Sequence, residues 1–109
     1  TFSRMITRIV KLEFEESKIQ DFLSFFETIK HRVNEFPGCY GMKLYQDVNT
    51  PNIVMTYSHW ESQEALDNYR KSTTFGEVWP SIKPWFKAKP EAWSVSAYFN
   101  GFESKSDKN

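Results

Sequence analysis

The chain predicts an α+β fold of the split βαβ, ferredoxin-like kind. Two observations establish the elements: two-residue alternation or apolar patterning at residues 5–14, 39–47, 53–60 and 92–99, and helix-period stripes after the first and third of these segments. A third sets the pairing. Asn49-Thr50-Pro51-Asn52 is a turn by composition and is short enough to fold the middle two strands back antiparallel. The order β-α-β-β-α-β then lays both helical segments on one face of a four-stranded antiparallel sheet.

Each element has a local reason. Residues 5–14 carry Ile6, Val10, Leu12 and Phe14 on one side and Met5, Thr7 and Ile9 on the other, the two-sided apolarity of a central strand. Ser17 and Gln20 have the spacing of a capping box, and Ile19, Phe22, Leu23, Phe26, Ile29 and Val33 form one helical stripe behind it. That helix stops at Phe36-Pro37-Gly38, because proline disfavours helical dihedrals before it and glycine permits the turn. The second strand alternates Tyr40, Met42 and Leu44 against Gly41, Lys43 and Tyr45. The third, Ile53–Trp60, runs into a helix that Ser62 caps and that continues through Ser72, burying Ala65, Leu66 and Tyr69. Phe75, Val78, Trp79, Ile82 and Phe86 keep helical spacing, but Pro80 and Pro84 predict a short or broken helix. The last strand is expected over residues 92–99.

The chain reads as one domain at 5–100, with 1–4 as an N-terminal extension ahead of a natural start at Met5 and 101–109 as a loose polar tail. Its 109 residues balance 14 basic against 14 acidic side chains with no block of either sign, which argues against nucleic acid as a partner. No apolar run approaches the ~20 residues of a membrane-spanning helix, and no secretory signal is present. The single Cys39 excludes an intramolecular disulfide and fits a reducing, cytoplasmic setting. Helices on one face leave the other side of the sheet, with Met5 and Ile9 or their alternates, open to water. A homodimer pairing sheet to sheet closes that surface under two-fold symmetry.

Phe36-Pro37-Gly38-Cys39, the run Tyr57-Ser58-His59-Trp60-Glu61-Ser62 with Ala65-Leu66, and then Phe75 resemble the antibiotic biosynthesis monooxygenase domain. The segment from Lys89 through Pro90, Glu91, Ala92, Trp93 and Ser94 to Val95 looks like the closing strand of a bacterial subgroup. The resemblance spans residues 5–99, and its strong part is the strand–Trp–Glu–Ser–helix junction. It implies a dimeric α+β barrel and oxygenation of a phenolic or quinol-like small molecule without a cofactor. It also implies a cleft role for Trp60. Thr56 stands where the cofactor-free oxygenases of the family have an asparagine. In the haem-degrading branch a ligating histidine occupies the position that here is Trp79, and a first-strand asparagine falls where this chain has Thr7 and Arg8. An indole cannot ligate iron, so the resemblance implies no haem.

The candidate site residues follow. Trp60 is either a core plug or a cleft wall; Phe75, Trp79 and Tyr69 can line the same aromatic cavity. Thr56, Tyr57 and Arg8 are the candidate polar contacts. Arg8 needs a partner on an apolar strand, either an anionic ligand or Glu61 or Asp47, and the internal ion pair is the favoured reading. His59 precedes Trp60 on the strand and faces the opposite way, towards the dimer side or the rim, where a hydrogen-bonded interface role competes with that of a general base. His31 belongs to the solvated flank of the first helix. Two separated histidines and one cysteine make no metal site of recognisable spacing. Two function classes remain: a cofactor-independent monooxygenase, and a non-catalytic binding or interaction dimer on the same fold. An isomerase on the same barrel would need a base in the cleft.

Overall fold

The computed structural model describes residues 5–102. The N-terminal extension at 1–4 and residues 103–109 of the expected tail lie outside them. The elements are β1 (Ile6–Glu13), α1 (Ile19–Asn34), β2 (Cys39–Gln46), β3 (Ile53–Trp60), α2 (Gln63–Arg70), α3 (Thr73–Ile82), a 3₁₀ turn (Lys83–Trp85) and β4 (Glu91–Val95). The sheet is antiparallel in the order β2-β3-β1-β4. The fold class is therefore the expected α+β, ferredoxin-like one.

Register assigns the faces. Met42, Ser58, Arg8 and Ser94 form one row across the sheet, and Leu44, Thr56, Val10 and Ala92 form the next. These rows face the helices. Between them on the opposite face runs Lys43, Tyr57, Ile9 and Trp93. Leu12, Phe14 and Val54 from the sheet pack with Ile19, Phe22, Ile29 and Val33 of α1 and with Val78 and Ile82 of α3. A smaller cluster, Trp60 with Ala65 and Leu66, lies under α2.

Four local expectations are corrected. Ser17 does not cap α1: it sits inside a turn closed by the Lys18 amide on the Glu15 carbonyl, and the helix starts later, at Ile19, with Lys18 as its uncapped N-cap. The helix expected through Ser72 ends at Arg70, and Ser72 instead starts α3, its hydroxyl accepting from the Phe75 amide at 3.1 Å. The helix carrying Phe75 and Trp79 is short, as expected, ending at Ile82 before the 3₁₀ turn that holds Pro84, but Pro80 does not break it. It removes a donor to the Gly76 carbonyl, but both residues are exposed, so water can serve that carbonyl. The last strand stops at Val95, opposite Thr7, and among the described residues no strand faces the positions beyond Ser96. The Ser62 cap does form, accepting from the Ala65 amide at 3.1 Å.

Gly38 joins the two halves of the fold. Its φ is +87°, its carbonyl accepts from the Glu61 amide at 2.8 Å, and a Cβ there would stand 2.6 Å from that of Ala65. Gly38→Ala combines left-handed strain with a clash against α2, so an expected loss of roughly 2–4 kcal/mol follows, read as a lower urea midpoint at unchanged slope.

Candidate functional site

Between the sheet and the helices lies a cavity of about 440 Å³. Its floor is the pair of helix-facing rows, with Arg8, Ser58 and Thr56 as the polar positions. Its roof is aromatic: Phe22 and Phe26 from α1, Tyr69 from α2, and Phe75 and Trp79 from α3. The helix register dictates this. Tyr69 ends the apolar stripe of α2, and Phe75 and Trp79 lie four apart on α3, with their rings stacked at 5.8 Å and 11°. The Trp60 and Tyr69 rings stand 5.0 Å apart, and Tyr69 meets Phe75 edge-on at 5.4 Å.

Trp60 is 1% exposed, and its indole N–H donates to Ser58 Oγ at 2.9 Å. It is thus both core and back wall, so the two readings open in the sequence are one position. Burial, with a smaller contribution from nearby Cys39, pushes the Tyr69 phenol up to about 12. The phenol therefore stays protonated at neutral pH, able to donate a hydrogen bond but unable to serve as a base. Burial likewise raises the Cys39 thiol, which disfavours the reactive thiolate.

Six of the eight residues singled out in the sequence line this cavity: Arg8, Thr56, Trp60, Tyr69, Phe75 and Trp79. Tyr57 and His59 do not. Their odd register positions put them on the open sheet face, where Tyr57 meets His59 and Tyr45 edge-on and His59 Nδ1 lies 3.0 Å from Thr7 Oγ1. His59 is thereby removed as a base for cavity chemistry, and Tyr57 as a polar contact there. The Arg8 ion pair is also corrected. Its Nη1 donates to Ser94 Oγ at 2.9 Å, and among the described residues it meets neither Glu61 nor Asp47. Asp47 is instead committed to the β2–β3 turn, accepting from the Asn49 and Thr50 amides.

Sequence reasoning missed Arg70 and Lys89, both exposed and both lining the cavity. Arg70 had a signal, since it follows the buried Leu66 by four on the same helix face. Lys89, in the segment before β4, had none. Burial, and secondarily the Arg70 guanidinium, lower Arg8 from its ordinary value, yet an arginine stays charged at any working pH. Among the described residues no carboxylate or imidazole lines the cavity.

An aromatic cavity with a cationic rim, set between one sheet face and its helices, is the kind of site in which small molecules bind. The chain belongs to the antibiotic biosynthesis monooxygenase family, whose profile matches residues 5–79. That span contains every cavity residue except those beyond Trp79, among them Ile82, Lys89 and the start of β4. Solved structures share the fold. A conserved protein from Methanosarcina mazei superposes with a TM-score of 0.79 at 21% identity, covering 84% of this chain and 90% of its own. An antibiotic biosynthesis monooxygenase gives 0.81 at 17%, covering 86% and 99%. A Mycobacterium tuberculosis protein gives 0.80 at 11%, covering 88% and 97%. No curated protein matches the chain in sequence.

Proposed function

We propose that this chain is a monooxygenase that oxidises an aromatic or quinol-like small molecule with dioxygen, without a cofactor, in the cavity between sheet and helices. The supporting observation is the cavity itself: flat aromatic walls at Tyr69, Phe75 and Trp79 suit a planar ring, and Thr56, Ser58 and the half-buried Arg8 are the polar groups beneath it. Family membership supplies the reaction class. The substrate loses a proton to form a phenolate or its carbanion tautomer, which transfers an electron to dioxygen. Recombination forms a ring-carbon peroxide, and O–O cleavage leaves one oxygen as a ring carbonyl and the other as water. A ring methylene supplies all four electrons, so no external reductant is needed.

The residues present shape how this could run. With no carboxylate or imidazole on the walls among the described residues, deprotonation goes to solvent, and Arg8 favours it by stabilising the anion that forms. The apolar roof excludes water from the reacting carbon. The same missing base is what favours the second reading, a binding protein without turnover. A stirred oxygen electrode separates the two, with anthrone and a naphthohydroquinone as substrates. The expected result is uptake above autoxidation, with catalase returning no oxygen because water is the second product. Return of half the oxygen would identify a peroxide-forming oxidase. Tight binding without uptake would favour the binding protein.

The open sheet face supports the second part of the proposal, a homodimer. Tyr45, Met55, Trp93 and Val95 are exposed there, around the half-buried Ile9, Tyr57 and His59. β4 is exposed along its whole length. An aromatic-rich face of this kind, interspersed with Lys11, Lys43 and Glu91, suits an interface, and the two-fold pairing of one self-complementary patch satisfies it.

A further inference from the structure

The cavity has an electrostatic asymmetry larger than the stabilisation of one phenolate by Arg8 requires. Arg8, Arg70 and Lys89 all line it, and among the described residues no acidic side chain does. Arg8 is half-buried on the floor, next to Ser94 in the strand pairing, while Arg70 and Lys89 are exposed and mark the mouth. Two guanidinium groups close enough to perturb one another, with no carboxylate among the described residues lining the cavity, leave a local excess of positive charge. Folding alone gives no reason for it: a cation on an apolar strand floor is costly, and a neighbouring cation adds to that cost. Among the described residues Arg8 commits one of its five N–H donors, to Ser94 Oγ.

We propose that the ligand of this cavity carries a carboxylate on its aromatic framework, and that Arg8 and Arg70 hold that carboxylate at the mouth while the ring lies against Tyr69, Phe75 and Trp79. The planar guanidinium fork matches a carboxylate in two parallel hydrogen bonds, and charge assistance makes these strong. A monoanion suits the site better than a dianion, because dehydrating the second charge beside apolar walls is expensive. Lys89, exposed at the mouth, draws the anion in without fixing its orientation. The arrangement also sets orientation for chemistry: with the carboxylate fixed at the rim, the ring carbons distal to it lie deepest, under the aromatic roof. This assignment rests on the reading of the cavity as the ligand site.

Titration calorimetry with ring-matched probes tests it: 1-naphthol, 1-hydroxy-2-naphthoate and 1-naphthyl phosphate, each with the wild-type chain, Arg8→Gln and Arg70→Gln. The expected result is hydroxynaphthoate binding roughly 10- to 100-fold more tightly than naphthol, the range set by a hydrogen bond to a charged group. That advantage shrinks in both variants and at high salt, while naphthol affinity holds in Arg70→Gln. Arg70 is exposed near the end of α2, so Arg70→Gln keeps the fold even where Arg8→Gln does not. Equal affinity for naphthol and hydroxynaphthoate overturns the carboxylate and leaves the aromatic cavity standing. Tighter binding of the phosphate overturns the choice of a monoanion. Binding of none of the three overturns the ligand cavity together with the carboxylate.

Discussion

Trp60→Ala is expected to destabilise the fold by about 3–5 kcal/mol, the usual cost of emptying a buried aromatic position. Trp60 is among the largest fully buried side chains, in ring contact with Phe36 and Tyr69 and packed with Ala65 and Leu66 under α2. Removing it opens space behind Tyr69 and strips the buried Ser58 Oγ of its donor. Urea unfolding of the two proteins measures the difference directly. A loss below about 1 kcal/mol would mean that the cluster under α2 collapses around the vacancy and that Trp60 is not its keystone. Because so large a change confounds any loss of turnover, Trp60→Phe is the variant for activity. It retains the ring bulk and removes the indole N–H, so its effect on ligand affinity reports on the back wall with the fold kept intact.

The second large effect concerns the open sheet face. Met55→Glu combined with Trp93→Glu is expected to turn a dimer into a monomer, seen by light scattering across a dilution series. The two residues are 38% and 45% exposed in the isolated chain, so charge there costs the monomer little. Buried against a partner, each carboxylate would be desolvated beside its own symmetry mate. Hot-spot positions lose about 2 kcal/mol or more apiece, so the pair weakens association by roughly 4 kcal/mol, close to a thousandfold. A wild-type chain already monomeric at tens of micromolar would overturn the dimer.

These two faces of one sheet differ in how far the sequence disclosed them. Period-two alternation in β3 separates Val54, Thr56, Ser58 and Trp60 from Ile53, Met55, Tyr57 and His59, and a reader of the sequence can draw that line. The opposite facing of His59 and Trp60 was legible for that reason. Tyr57 was assigned to the cavity against the same alternation, on the strength of its hydroxyl, and the register returns it to the open face. The aromatic roof was legible too, since Tyr69, Phe75 and Trp79 follow helical spacing on either side of the Ser72 cap.

Sequence alone determined the fold class, the order of elements and the cavity's aromatic character, all written in short-range patterns: alternation, helical stripes, caps and turn residues. The family showed separately, as a resemblance carried by the motif residues, chiefly the strand–Trp–Glu–Ser–helix junction. Tertiary structure alone decided the charge of the cavity. Arg8, Arg70 and Lys89 come from a first strand, a second helix and the approach to a last strand, and only sheet order β2-β3-β1-β4 brings them to one opening. The partner of Arg8 was decided the same way. Electrostatic partnership depends on distance in space, and the carboxylates that looked available in the chain are either spent on a turn, as Asp47 is, or turned to solvent, as Glu61 is.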